Sequence, residues 1–451
     1  MARHQFIIFI LCASSAWCQT GASKSISFTG SQHDSETDKQ IQLLQLHVKS
    51  APDDYAGYDV LGSAFFQKAR ETGDIAYYDL AEQTLKKSLA LAPHDFHAAD
   101  PLVHIALVYM GEHRFKDALD SAQQAISLGS GSLAAFAIEG DAYTDMGDYG
   151  EAAEAYNTVQ TLGRVVSSPL ALACMSDSRV AYLRFLHGDS AEAIRLMRSA
   201  IFAALQINVP RENLAWLYFE LGERYFQAGE LENAALAYQS GIAADPAHYR
   251  SLAGLAKVRA AQGGFDESIH LYQRSIAIIP FPVYVEELGD VYRKTGKEKE
   301  AQQQYDLVEY IGHLGELNRV LANRELALFH ADQGIKLPEA VELAQKELEV
   351  RHDIYTWDTF AWALYKNGRL EEAAAAMSKA LVLHTNDPLL LFHAGMIYHA
   401  LAKDDEAEDF LSRALKANPH FHIVHAEEAG RTLEEIRQAR NRDLRSTNAT
   451  R

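Results

Sequence analysis

The residues best suited to chemistry in this chain are its histidines, 19 in 451 residues. Three of them, His420, His422 and His425, fall in the run HFHIVH near the C-terminus, and His393 and His399 lie shortly before it. Imidazoles at this density suit a divalent metal when the ligands converge, zinc taking four N, S or O donors in a tetrahedron. His420 and His422 flank Phe421 and need not converge, and no Cys or carboxylate stands nearby at a ligand spacing. Metal binding through His420, His422 and His425 is therefore the weaker alternative to histidines of a surface or a helix cap.

Other reactive groups carry less. Glu371-Glu372 and Asp404-Asp405 sit where first helical turns are expected, and carboxylates favour a helix N-terminus without any catalytic role. Cys174 lies alone, just before MSDS, and reads as a buried thiol. The chain contains no G-x-S-x-G, P-loop, H-E-x-x-H or G-x-G-x-x-G pattern. A non-enzymatic protein without a cofactor is expected, an enzyme lacking any recognised motif being the remaining alternative. The formal charge of −19 argues against a binder of nucleic-acid phosphates.

The elements that must position these residues are most legible in Tyr218 to Pro246, YFELGERYFQAGELENAALAYQSGIAADP. Gly222 and Ala234 allow helices to approach closely, and Tyr218, Tyr225 and Tyr238 fill the space around them. Gly229 supplies a permissive backbone where two helices turn. Asp245-Pro246 ends the second helix, because Pro cannot continue it and the preceding residue avoids helical angles. One such hairpin cannot bury its apolar stripe, so neighbours must stack on it.

Weaker copies fill the chain. The second-helix alanines fall at 81, 118, 152, 193, 234, 301, 340, 373 and 407, with Ser268 in the sixth copy. Five of the nine steps lie within one residue of 34, a period that marks a two-helix repeat. The first copy carries an insertion around ARETGDIAYYD, expected in its turn. The fourth copy, flanked by GRVVSSPLALA and QINVPRENL, and the eighth are degenerate and are the expected weak points of the stack.

These residues resemble tetratricopeptide repeats over about 52–419. DTFAWALYKNGRLEEAAAAMSKAL, in the last third, is similar to exported bacterial members of that family. The resemblance implies an all-α, right-handed solenoid of about ten hairpins. It also implies a concave groove, lined by the first helices, that grips a peptide or partner protein. The family's groove positions correspond here to Trp216, Phe219, Arg250, Lys257, Arg293, Lys294, Arg324, Trp362 and Tyr365, among others. Five cations and four aromatics would suit an acidic or amphipathic segment of a partner. The alternative is that the cations pair with Glu286, Asp290 and Asp332 on the same surface, and that the aromatics pack between repeats. The family's carboxylate clamp needs an Asn that these positions lack.

The ends complete the expected organisation. Residues 1–18 read as a secretory signal: Arg3 and His4, an apolar core from Phe6 to Leu11, then Ala13 to Ala16. Cleavage would follow Ala16 or Cys18; a buried N-terminal helix and a lipid-anchored Cys18 are the alternatives. Residues 19–40 are polar and read as a disordered linker, and Ile41 to Val48 as a lone amphipathic helix. The solenoid spans 41–419, a polar capping helix 420–440 and a flexible tail 441–451, with a sequon at Asn448. No other stretch is apolar enough to span a membrane. The expected protein is an exported, periplasmic or extracellular interaction scaffold.

Overall fold

A computed structural model of the chain describes residues 36–129, 131–317 and 323–449. The expected signal, including Cys12 and Cys18, lies outside these residues, as do linker residues 19–35. No strand occurs among the described residues, and none of their helices is long and apolar enough to cross a membrane.

Among the described residues a first helix, α1 (Glu36–Ser50), overlaps the expected linker and precedes ten consecutive helix pairs. These are α2 (Tyr55–Thr72) with α3 (Ala76–Leu91), α4 (Ala99–Gly111) with α5 (Phe115–Ser127), and α6 (Leu133–Met146) with α7 (Tyr149–Val166). Next come α8 (Pro169–Leu186) with α9 (Ser190–Ile207), α10 (Arg211–Gln227) with α11 (Leu231–Ala244), and α12 (Tyr249–Ala261) with α13 (Phe265–Ile278). The last four are α14 (Pro282–Lys294) with α15 (Glu298–Leu317), α16 (Asn323–Gln333) with α17 (Leu337–Glu347), α18 (Ile354–Lys366) with α19 (Leu370–Ala380), and α20 (Pro388–Ala400) with α21 (Asp404–Ala417). A final helix, α22 (His425–Ala449), extends beyond the expected cap into the expected tail. The architecture is an all-α repeat solenoid.

The chain divides into two compact units. The smaller holds the described residues up to Ala142 together with 154–167; the larger holds 143–153 and everything from Ser168 onward. Irregular repeat spacing is taken up by helix length. The first insertion lengthens α2 to 18 residues, because YAGYDVLGSAFFQKARET keeps helical periodicity and only Gly73, at φ 69°, leaves it. The fourth pair is not eroded: α8 and α9 have 18 residues each, and Asp189 caps α9 through the Glu192 N–H. The eighth pair is the short one, α16 and α17 having 11 residues each.

One packing motif recurs within the pairs. Gly222 of α10 faces the Tyr238 ring of α11, and a Cβ at Gly222 would lie 2.5 Å from the ring's Cε1. Gly254 of α12 also meets that ring, where a Cβ would lie 2.3 Å from Cε1. The Tyr238 hydroxyl, buried with the ring, donates to Glu223 Oε1 at 2.5 Å. Gly140, Asp141 and Tyr156 repeat this arrangement, as do Gly289, Asp290 and Tyr305, with hydroxyl-to-carboxylate distances of 2.9 and 2.8 Å. A small residue admits the ring, and the acid beside it satisfies the buried hydroxyl.

Gly222→Ala gains up to about 1 kcal/mol of helix propensity but overpacks the Tyr238 ring, at a cost of about 1–3 kcal/mol. We expect a net loss of stability, read as a lower urea midpoint, whereas Gly296→Ala, with no atom within 4 Å of the new Cβ, loses only what its φ of 75° imposes.

Candidate functional site on the concave face of the larger unit

The first helices of the pairs in the larger unit carry the candidate residues, and the aromatics among them are largely buried. Trp216 and Phe219 of α10 are 4% and 6% exposed, and the Phe219 ring packs on Tyr238 and His248 at centroid distances of 6.0 and 6.1 Å. Trp362 of α18 is buried too, stacked between Tyr365 at 4.9 Å and His393 at 4.1 Å. These aromatics serve packing.

The cations are engaged individually. Lys257 Nζ donates to both oxygens of Glu223 at 2.9 and 3.0 Å and lies 4.6 Å from the Phe226 ring centre. Arg293 lies over the Tyr305 ring at 4.5 Å and donates to Gln333 Oε1 at 2.7 Å. Lys294 pairs with Glu427. Arg324 is buried, its Nη1 3.4 Å from Asp353 Oδ1 and its Nη2 3.6 Å from Glu325 Oε1. Arg250 lies over the Tyr249 ring at 5.1 Å. The structure thus brings Lys257 and Lys294 to one place and leaves Arg250 and Arg324 elsewhere.

Asp290 and Asp332 turn instead to histidine. The segment after α21 folds across the concave face: the Asn418 side-chain amide donates to the Phe226 carbonyl at 2.7 Å, and Phe421 packs on Phe392 at 5.8 Å. His422 Nε2 lies 3.7 Å from Asp290 Oδ2, and His425 Nε2 lies 3.3 Å from Asp332 Oδ1, which also accepts the Trp362 indole N–H at 2.7 Å. The two imidazoles stack at 4.4 Å, and His425 stacks on Phe392 at 4.8 Å. Next to them His393 Nδ1 lies 2.9 Å from Asp358 Oδ1. Among the described residues no three His, Cys, Asp or Glu side chains are grouped so as to hold a metal ion. His420 stands apart, lining the cavity described below.

The electrostatics follow from burial and pairing. Burial opposes a charge on His425, but the Asp332 carboxylate, with Glu428, outweighs it and lifts the imidazole to about 9. Burial likewise opposes ionisation of Asp332, yet His425, His393 and His422 hold that carboxyl well below the usual range. At Asp290 burial wins over the Tyr305 hydroxyl and the nearby cations, pushing the carboxyl up to about 6.

Turns and loops draw this face inward. The His352 N–H donates to the Met146 carbonyl at 2.8 Å, the Asn386 amide to the Gly188 carbonyl at 2.9 Å, and the Gln227 amide to Asp387 Oδ2 at 3.3 Å. Asp387 also caps α20 by accepting the Leu389 N–H at 2.9 Å. The turn at Gly229, at φ 74°, abuts the Ala417 carbonyl, which would lie 2.8 Å from a Cβ there. Turns of the third to fifth pairs therefore meet loops around the ninth and tenth. A wide-open groove, as the repeat pattern alone suggests, is not what forms. A cavity of about 340 Å³ lies between α12–α14 and the crossing segment. Phe226, Phe265, Tyr272, Val291, Phe421 and Ile423 form its apolar wall, with Lys257, Lys294, Glu287 and Glu427 at its polar margin.

Sequence reasoning singled out HFHIVH without its partners. The available signal was the three-residue step from His422 to His425: His422 lies in the turn before α22, its Nδ1 accepting the His425 N–H at 3.3 Å, and both rings meet acids on α14 and α16.

A tetratricopeptide-repeat family model matches residues 105–164, 219–281 and 359–420. Over those three stretches the chain carries tetratricopeptide repeats. No curated protein matches it in sequence. Solved structures similar to this repeat protein include yeast Tom70, at 12% identity and a TM-score of 0.41, covering 90% of this chain and 93% of that one. The Cut9–Hcn1 hetero-tetramer of the APC/C gives 13% identity and a TM-score of 0.32, over 89% and 90% of the two chains. A repeat protein from Parabacteroides merdae gives 17% identity and a TM-score of 0.33, over 58% of this chain and 98% of that one. Tetratricopeptide-repeat proteins generally serve as scaffolds between proteins and are typically not enzymes.

The His425–Asp332 pair predicts a pH dependence for this repeat protein. A folded-state pKa near 9, above the ordinary value of about 6.5, contributes stability that is complete below about pH 6.5 and lost as pH rises through 9. The loss is on the order of 3 kcal/mol. Asp332 titrates only in strong acid, and the cost of ionising Asp290 is already complete above pH 7, so neither contributes to this decline. The urea midpoint of wild type should fall between pH 6.5 and 9.5, and His425→Gln should flatten that decline.

Proposed function

We propose that this protein is an exported, non-catalytic interaction scaffold that holds an amphipathic segment of a partner protein against the concave face of its larger unit. The observation that supports this reading is the cavity of about 340 Å³ on that face, with an apolar wall and two lysines at its margin. It has room for one or two large side chains and not for a whole helix, so a partner would engage it in extended or turn conformation and anchor there. Of the acidic and amphipathic partners that the groove positions suggest, the amphipathic one has the better support, because Lys257 is already occupied by Glu223 and Lys294 by Glu427. A carboxylate could bind there only by exchanging with one of these pairs, which the exposed Lys294 allows more easily than Lys257.

Ala261→Trp tests the site, since Ala261 lines the cavity at the end of α12 and is only half-buried. Affinity capture from native extract with the mature chain, compared by mass spectrometry with capture by the folded Ala261→Trp chain, should show a partner recovered only by wild type. Identical recoveries would remove the cavity as the binding surface. Export has its own check: N-terminal sequencing of the protein from its native source should begin at Trp17 or Gln19, and a chain beginning at Met1 or Ala2 would rule out signal cleavage.

A further inference from the structure

The segment that crosses the concave face, residues 418–428, has the chemistry of a ligand. It contributes one buried aromatic, Phe421, two imidazoles directed at carboxylates of α14 and α16, and Glu427 to Lys294. Its contacts with α14 and α16 run through side chains, with the Asn418 amide fixing its start on the Phe226 carbonyl. The surface beneath is acidic: Asp290 and Asp332 are 3% and 6% (side chain) exposed, while Asp358 keeps its own partner, His393 of α20. Carboxylates this deeply buried are costly to leave without positive partners. Whatever replaces the segment must therefore bring cations of its own. An acidic segment could not occupy this part of the face.

We propose that Asp290 and Asp332 form a recognition site for a partner segment that presents an aromatic residue followed by cations at the next position and three residues later, and that the chain's own Phe421, His422 and His425 occupy this site until displaced. The inference rests on the reading that the concave face binds a partner, and it adds the chemistry of that partner. It also gives the cavity an entrance, because Pro419 to Ile423 form one of its walls and leave with the segment. The site is specific in two ways. Asp332 sits between the Trp362 indole N–H and the incoming cation, and Phe392 offers a flat apolar surface to the aromatic and the second cation alike.

The test uses the full chain and a fluorescein-labelled peptide of residues 417–431. Wild type should bind the peptide weakly, its own segment competing at high effective concentration. The chain carrying Phe421→Ala, His422→Ala and His425→Ala should bind it at least tenfold more tightly, and adding Asp332→Asn should abolish the gain. A peptide with Glu in place of both histidines should not bind. No gain in a triple variant that unfolds cooperatively, or a gain indifferent to Asp332→Asn, would overturn the proposal. Should the triple variant not fold, hydrogen exchange of wild type decides: residues 418–428 must exchange faster than α14 and α16, and equal rates overturn it. Failed peptide binding beside partner capture that still depends on Ala261 would remove this inference alone; loss of both would remove the concave-face reading as well.

Discussion

The structure depends on the close approach of a tyrosine ring to a helix that offers it a glycine. Gly222, Tyr238 and Gly254 form the densest example, where no side-chain carbon could be added without displacing the ring. The buried hydroxyl requires an acceptor, and the acid next to the glycine, Glu223, provides it. That acid belongs to two environments at once. Glu223 accepts the Tyr238 hydroxyl on the core side and the Lys257 ammonium toward the concave face. Asp290 does the same with Tyr305 and His422. The interaction that stacks the repeats thus also determines which charges the concave face presents.

This double duty explains why a face with five cations at its family positions does not behave as a basic groove. Each cation is consumed by an acid, an amide or a ring before any partner arrives, while Asp290 and Asp332 are answered by histidines from the far end of the chain. Asn386, Asn418 and the turn glycines draw the face inward, and the cavity beside the crossing segment is of side-chain size. The larger unit is therefore better suited to capturing an anchored, short segment than to cradling a long one, and its own C-terminal segment has the chemistry of such an occupant.

Much of the fold was legible because it is local. The spacing near 34 residues, the alanines of the second helices and the Asp245-Pro246 stop all act within one hairpin, where helix geometry turns sequence distance directly into position. Less regular copies were harder to judge. The fourth pair looked eroded because its consensus residues are few, yet α8 and α9 are long helices that bury Arg179 and Met197 by non-consensus packing. The insertion ARETGDIAYYD, expected in a turn, is mostly helical: ARET ends α2 and AYYD opens α3.

At the site, sequence by itself determined which residues stand on the first helices and that aromatics, cations and histidines would recur there. Only the tertiary structure decided which of them meet. Lys294 and Glu427 are 133 residues apart, and Gln227 and Asp387 are 160 apart. Such contacts depend on how much each repeat rotates on the last, a small angle summed over several hairpins that no single spacing encodes. The asparagines and loop aspartates that complete them have no pattern of their own, because one side-chain amide or carboxylate suffices wherever the summed rotation brings a turn and a loop together.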